Sequence, residues 1–238
     1  MTGRAAPSAL LLVLGVVVVQ LVRTGSHLRY VKPWLGSPLL VSGLALALVG
    51  AAGVFAAYRS ARPQGPAPSQ VGWLLAVPIG LILLVDPPAL GSYGLQGRTT
   101  VVQAPQGTLG SLPPARNGAV ELTLREYARR AAFEPAGLEQ AQLRLVGFAV
   151  PATPEERARH GSGFYLTRIA LNCCAADGQA VRVFIASPTT PPADTWWQVE
   201  GRGQATPGVN DDQRSQADAT LTASRLTAIG EPANPYSY

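Results

Sequence analysis

Long runs of apolar residues occupy the first half of the chain. The first holds 18 uncharged residues between Arg4 and Arg23, the second holds 26 between Lys32 and Arg59, and the third covers residues 71–85. At about 1.5 Å per helical residue, the first two approach or exceed the roughly 30 Å hydrocarbon core of a bilayer. The third run reaches that length only with its uncharged flanks. The pattern predicts three membrane spans, at about residues 5–22, 34–58 and 68–88.

The direction in which these spans cross the bilayer depends on weak signals. With the N-terminus inside, three basic residues lie on each side, which is a tie under the positive-inside rule. A first span that begins so close to the N-terminus usually keeps that end inside, which predicts a multi-pass protein of the cell membrane with an extracytoplasmic C-terminal domain. The alternative is a cleaved signal peptide, although no small-x-small site follows before Arg23.

Small residues recur every four positions in the second span, at Gly43, Ala47 and Ala51. This spacing fits close packing against another membrane helix. Ordinary membrane-helix composition accounts for the same residues, so both interpretations stay open.

The pattern changes in the second half. Residues 94–118 are rich in Gly, Pro, Gln and Ser, as linkers are. Thr123 and Glu126 fit a capping box, and the apolar spacing that follows predicts a short amphipathic helix over residues 123–133. After Gly137 the period becomes two, which predicts strands at residues 143–150, 163–172, 180–187, 196–202 and 219–229.

Five short strands within about 90 residues predict a small OB-like β-barrel domain over residues 119–238. The connection at residues 188–194 is too short for the helix that such barrels usually place between their third and fourth strands. The preceding helix is the candidate to close that end of the barrel, and a five-stranded sandwich is the alternative fold. The predicted organisation is a membrane region (1–93), a linker (94–118) and this domain.

Charge separates the two halves as clearly as hydropathy does. Only 14% of residues are charged, against about a quarter in ordinary soluble proteins. Residues 1–97 hold six basic residues and one acid, and the rest of the chain holds 13 of each. The net charge of +5 therefore flanks the apolar runs, which indicates a lipid bilayer as partner and no nucleic acid.

The candidate chemistry centres on two adjacent cysteines, Cys173 and Cys174. Neighbours in a strand point to opposite faces, so the thiols share a site only if the chain turns after Cys174. With Asp177 they then offer two or three ligands to zinc or another metal, and His160 would be a fourth. Alternatively, one thiol packs in the core while Asp177 caps a turn, or the thiols carry out redox chemistry.

Other polar residues give weaker signals. Arg168 lies within a predicted strand, where we expect it to pair with Glu200 or another acid at the barrel mouth, or to face water. Glu155 and Glu156 lie in a polar segment beside two arginines, which indicates a solvated surface. The sequence has no Ser-His-Asp order, phosphate-binding loop or zinc-protease motif, so no enzyme activity is expected.

Several short segments carry a resemblance to a known family. They are residues 28–33 (LRYVKP), 144–148 (RLVGF), 166–168 (LTR), 173–177 (CCAAD), 197–201 (WQVEG) and 235–236 (PY). Together they resemble the bacterial two-component membrane permease complex subunits, the YcgQ-like family. The resemblance covers nearly the whole chain, and the CCAAD segment is its most specific part.

The resemblance implies an integral membrane accessory subunit that acts beside a separate polytopic permease, with an unknown solute. Some relatives carry a His-rich loop between their second and third spans, which suggests a metal ion as solute. Here that loop, residues 59–70, contains no His and no Cys. This departure weakens a metal substrate for this protein.

Overall fold

A computed structural model describes residues 2–59, 80, 90–93, 102–103, 107–206, 214–215 and 218–237. The chain divides into two compact units, Met1–Ala89 and Leu90–Tyr238. The first is a helical region and the second is a domain with a seven-stranded sheet, which confirms the coarse prediction of a helical N-terminal part followed by a β domain. The third predicted span, residues 68–88, lies outside the described residues apart from Gly80.

Two long helices make up most of the described part of the first unit. They are α1 (Thr2–Arg23) and α2 (Gly36–Arg59), and between them lie two 3-10 helices, Ser26–Arg29 and Pro33–Leu35. Within the described residues, one helical segment, Pro33–Arg59, is long and apolar enough to cross a membrane. The apolar part of α1, Pro7–Arg23, is shorter.

The two helices pack along a seam of glycines. Gly43 and Gly50 of α2 are buried. A Cβ atom added to Gly50 would lie 2.4 Å from the backbone nitrogen of Leu12, and one added to Gly15 would lie 2.4 Å from the backbone nitrogen of Ala47. Later residues of α2 thus contact earlier residues of α1, so the pair forms an antiparallel hairpin whose backbones touch.

The predicted four-residue spacing of small residues is partly right. Gly43 and Ala47 lie in the seam, whereas Ala51 is exposed and Gly50 takes its place. Residues seven apart return to nearly the same face of an α-helix, since two turns take 7.2 residues. This periodicity explains why the buried residues of α2 are Gly36, Gly43 and Gly50.

The second unit contains nine described strands and two α-helices. Its helices are α3 (Leu124–Phe133) and α4 (Pro154–His160). Its strands are β1 (Val102–Gln103), β2 (Val120–Glu121), β3 (Leu143–Pro151), β4 (Gly163–Ala170), β5 (Gln179–Ala186), β6 (Trp196–Gly203), β7 (Arg214–Ser215), β8 (Ala219–Ile229) and β9 (Tyr236–Ser237). Strands β1 and β7 form a separate antiparallel pair.

The seven remaining strands pair in the order β2-β3-β6-β8-β5-β4-β9, and β3 also pairs with β4. Five of them therefore pair in a closed cycle. Its pairings are β3–β6, β6–β8, β8–β5, β5–β4 and β4–β3. Four pairings of the cycle are antiparallel, and β5–β8 is parallel. These five strands are the ones that the period-two pattern predicts, with small shifts at their ends.

Alternate residues of these strands form one hydrophobic core. It includes Leu143 and Leu145 of β3, Leu166 of β4, Val183 of β5 and Leu221 of β8, all fully buried. The strict alternation of burial in β4 and β5 breaks down because their opposite faces are covered too. That second covered face carries Tyr165, Thr167, Arg182 and Phe184.

Helix α3 confirms the amphipathic prediction. Thr123 is its N-cap and accepts a hydrogen bond from the backbone of Glu126 at 3.1 Å, and the predicted apolar face is buried. Tyr127 on that face donates its hydroxyl hydrogen to the carbonyl of Thr220 and accepts the backbone N–H of Gln204 at 3.3 Å. These contacts fasten the helix to the strand cycle.

The two ends of the second unit meet at strand β9. This strand pairs in parallel with the end of β4, with Tyr236 opposite Ile169. The backbone N–H of Leu90 donates to the hydroxyl of Tyr236 at 3.0 Å. The residues that open and close this unit are therefore joined by a direct hydrogen bond.

Candidate functional site

The two cysteines lie in a turn directly after β4. The strand ends at Ala170, two residues earlier than predicted, and Cys174 is the N-cap of a 3-10 helix at Ala175–Asp177. The Asp177 carboxylate accepts the backbone N–H groups of Asn172 at 2.8 Å, Cys173 at 2.7 Å and Cys174 at 3.4 Å. Asp177 thus caps this turn. Residues 172–177 are called the Cys-Cys-Asp turn below.

The turn brings both thiols to one place. The candidate ligand atoms of Cys173, Cys174 and Asp177 all lie within 4.8 Å of one another. Cys173 is exposed, and the other two are half-buried. Alternation across a strand does not separate the thiols, because the strand has already ended. The metal prediction required the chain to turn after Cys174, and the chain does turn there.

Hydrogen bonding in the turn sets the protonation of its groups. The hydrogen bond from the Cys173 thiol, with the backbone N–H bonds, lowers the pKa of Asp177 to about 2. The same bond to Asp177, followed by one to Cys174, raises the pKa of Cys173 to about 11. At neutral pH Asp177 is therefore ionised and Cys173 is a thiol. Because the thiolate is the reactive form, the raised pKa of Cys173 disfavours a redox role for this cysteine.

This protonation state predicts that Cys173 is alkylated slowly. We expect Cys173 to react with iodoacetamide at pH 7.5 at a rate well below that of a free cysteine, whose pKa is about 8.5, although its side chain is exposed. Asp177→Asn should raise the rate at least about tenfold, because the amide does not stabilise the thiol as the carboxylate does. Mass spectrometry of the alkylated peptide gives both rates, and equal rates in the two proteins would contradict the assignment.

His160 lies outside this turn. Its ring packs on Phe184 with ring centres 4.8 Å apart, and its Nε2 lies 3.5 Å from a carboxylate oxygen of Asp218. Within the described residues, the cluster of metal-binding side chains consists of Cys173, Cys174 and Asp177. The predicted fourth ligand is therefore engaged elsewhere.

Arg168 binds the C-terminal segment. Its guanidinium donates to the carbonyl oxygens of Asn234 at 2.6 Å and Tyr236 at 3.0 Å, and it lies 5.2 Å from the ring centre of Trp196. Glu200, one of the partners considered for it, pairs with Arg144 at 3.0 Å. Arg168 thus holds β9 against β4, a contact that the sequence did not predict.

Removing this guanidinium should loosen the C-terminal strand. We expect Arg168→Met to increase amide hydrogen exchange at residues 234–237 by about tenfold or more, since hydrogen bonds from a charged group contribute about 1.5–3 kcal/mol. The thioether keeps most of the apolar contact with Trp196. Exchange measured by mass spectrometry should leave the peptide covering α3 unchanged, and uniform acceleration across the domain would point to general destabilisation instead.

The β domain contains a buried ion pair that the sequence did not predict. Glu156 of α4 and Arg182 of β5 are 2% and 1% exposed, and their charged atoms lie 2.6 Å apart. The Arg182 guanidinium also lies 3.6 Å from the ring centre of Tyr165, whose hydroxyl donates to Asp218 at 2.6 Å. The prediction of a solvated surface holds for Glu155 and is wrong for Glu156.

A local signal for Glu156 was present. Thr153, Pro154 and Glu156 form a full capping box with proline at the first helical position. Such a box predicts α4, although the helix has only seven residues. It does not predict the partner, because Arg182 lies 26 positions away on another strand.

Fold and site together define the class of this chain: an apolar helical hairpin followed by a seven-stranded sheet domain that carries a Cys-Cys-Asp turn. Comparison with family models, with curated proteins and with solved structures finds no match to this chain.

Proposed function

We propose that this protein is a multi-pass accessory subunit of a permease complex in the cell membrane, with its β domain as a non-catalytic module beside a separate permease. The observation that carries the proposal is the outer surface of α2. Its exposed side chains include five large apolar ones, namely Val41, Leu44, Leu48, Val49 and Phe55. A helix that exposes such residues on the side away from α1 is suited to lipid or to another membrane helix.

Aromatic residues near both ends of α2 support a spanning position. Trp34 is 65% exposed and Tyr58 is 78% exposed. They are 24 residues apart, which corresponds to roughly 36 Å along a helix and matches a hydrocarbon core with its interfaces. Tryptophan and tyrosine prefer these interfaces. The proposal places α1 and α2 in the bilayer as two spans and residues 68–88 as the third.

The strand cycle supports an OB-like barrel. Numbered along the chain, its five strands are adjacent in the order 1-2-3-5-4 and close back on 1, with a parallel pair between 3 and 5. This is the order of strands in an OB-like barrel. A sandwich of two sheets would leave the cycle open. Helix α4 lies between strands 1 and 2, and α3 packs on the core.

The absence of charged side chains from the two helical spans supports a role beside a separate permease. Residues 5–22 and 33–58 contain no charged side chain, whereas transport paths for polar solutes are usually built from polar groups at mid-membrane. The CCAAD and WQVEG segments, which resemble permease-complex subunits, suggest the kind of partner. The extracytoplasmic side remains the expected location of the β domain.

Extraction and co-purification test this proposal. The full chain, tagged at its C-terminus and expressed in its own host, should stay in the membrane pellet after carbonate washing. In mild detergent it should co-purify with a protein that has many predicted spans. Leu48→Gln, on the exposed face, should weaken that association, while Glu139→Gln in the β domain should not. Release by carbonate, or recovery of the chain without any polytopic protein, would overturn the proposal.

A reporter fusion tests the orientation separately. Alkaline phosphatase joined after Tyr238 should be active and green fluorescent protein at the same position should be dark, because the first folds only outside the cytoplasm and the second only inside. The reverse pattern would place the β domain in the cytoplasm and would leave the membrane assignment intact.

A further inference from the structure

The Cys-Cys-Asp turn has the donor set of a thiophilic metal site. Two sulfur atoms and one carboxylate converge within 4.8 Å, and zinc takes cysteine sulfur and aspartate oxygen as ligands. We infer that this turn binds one Zn²⁺-like cation through Cys173, Cys174 and Asp177, with a fourth position open to solvent. The inference concerns this site alone and does not depend on a permease partner.

The distances in the turn are close to those that zinc requires. Zinc–sulfur bonds are about 2.3 Å and zinc–oxygen bonds about 2.0–2.2 Å, so two ligand atoms on one tetrahedral ion lie roughly 3.3–3.8 Å apart. Donors at the upper limit of 4.8 Å need to approach one another by about 1.0–1.5 Å. Cys173 is exposed, so its side chain can rotate without disturbing the core.

Asp177 is already held in place for this role. Backbone N–H groups of residues 172–174 fix its carboxylate, as groups around a metal ligand usually do. An ionised carboxylate has about four acceptor positions, and the three N–H groups take three of them. The fourth accepts the Cys173 thiol, and this position becomes free for the cation once the thiol loses its proton.

Binding is a ligand exchange with no redox step. Each thiol gives up a proton to the buffer as its sulfur bonds to the cation, and the cation gives up water molecules to make room. Two thiolates and one carboxylate around a divalent ion leave a net charge of −1. Structural zinc sites have four protein ligands, whereas the described residues supply three here, so the cation remains exchangeable with solvent or with another donor.

The test titrates the full chain in detergent, reduced and free of metal, with Zn²⁺ and with Co²⁺. Calorimetry should give one Zn²⁺ per chain, and Co²⁺ should produce a thiolate-to-cobalt absorption band that Zn²⁺ removes. Cys173→Ser and Cys174→Ser should each weaken Zn²⁺ binding at least about tenfold. Glu139→Gln, a change at an exposed acid of the same domain, should leave the binding unchanged.

A second measurement follows the alkylation of the cysteines in the unaltered protein. Saturating Zn²⁺ should protect Cys173 and Cys174 of the unaltered protein from alkylation, and a chelator should remove the protection. Tryptophan fluorescence spectra of the serine variants should match the parent spectrum, which shows that the fold persists. Binding that survives Cys173→Ser combined with Cys174→Ser, or alkylation that Zn²⁺ does not slow, would overturn the inference.

Discussion

Replacing Glu156 with alanine should lower the free energy of unfolding of the β domain by about 3–5 kcal/mol, because it removes the carboxylate that lies 2.6 Å from the buried Arg182 guanidinium. Arg182 is 1% exposed, and its charge lies against the Tyr165 ring and the Glu156 carboxylate. Water cannot replace the lost carboxylate without opening the packing under α4.

Denaturant unfolding of the full chain in detergent measures this effect. Fluorescence of Trp196 and Trp197, both on β6, reports the transition. Glu155→Ala is the matched control, because that neighbouring carboxylate is exposed and its loss should change stability by less than about 0.5 kcal/mol. Equal effects of the two substitutions would show that the ion pair contributes nothing.

A double substitution separates the penalty of an unpaired charge from the net contribution of the pair. Glu156→Leu combined with Arg182→Met replaces both charges with apolar groups of similar length. Such replacements of buried ion pairs are often neutral or stabilising. We therefore expect the double variant to be clearly more stable than Glu156→Ala, and a double variant as unstable as the single one would contradict this account.

The same pair gives a pH dependence. Burial raises the pKa of Glu156, but the hydrogen bonds from Arg182 and from the Thr153 backbone outweigh it, so the pKa in the folded domain is lowered. A lowered pKa contributes stability above the unfolded value of about 4.3, and this contribution disappears as the pH falls through the folded value. Parent and Glu156→Gln proteins should thus differ in stability at pH 7 and converge in acid.

Replacing Gly50 with leucine should separate helices α1 and α2. A Cβ atom there would lie 2.4 Å from the backbone nitrogen of Leu12 and 2.7 Å from its Cα. Backbone atoms cannot rotate aside as a side chain does, so the helices have to move apart and lose their contact along the seam. Overpacking of this kind costs about 1–3 kcal/mol, and more where the backbone must shift.

Amide hydrogen exchange of the detergent-solubilised chain measures the separation. Exchange across residues 8–15 of α1 should accelerate by about tenfold or more in Gly50→Leu, since 1.4 kcal/mol corresponds to a factor of ten. Ala51→Leu places the same side chain one residue later, on an exposed face, and should leave α1 protected. Equal exchange in the two variants would mean that the glycine seam does not hold the hairpin together.

Local patterns predicted the parts of this fold that local forces determine. The apolar spacing around Tyr127 and the Thr123 cap predicted α3, and alternation predicted the five strands of the cycle. The end of β4 was misplaced because Leu171 and Asn172 extend the strand pattern by two residues. In the structure, the backbone N–H groups of Asn172 and Cys173 bond to Asp177 in place of a neighbouring strand.

The remaining features depend on contacts between distant segments. A sequence pattern does not show that Arg182 reaches Glu156, or that Arg168 reaches the carbonyls of Asn234 and Tyr236, 66 and 68 positions along the chain. The candidate site could be predicted in part from the sequence. Its three residues are close in sequence, and the unknown was whether a turn would bring both thiols to the same side.

The hydrogen bond between Leu90 and Tyr236 makes the β domain a candidate for circular permutation. Residues 90 and 237 lie near each other, so a short flexible peptide can join them, and new ends can be opened in the exposed connection at residues 188–190 without cutting a strand of the cycle. Such a rearranged domain would retain every strand pairing while its β5 and β6 became terminal. It would show how far the architecture depends on the order in which the chain is synthesised.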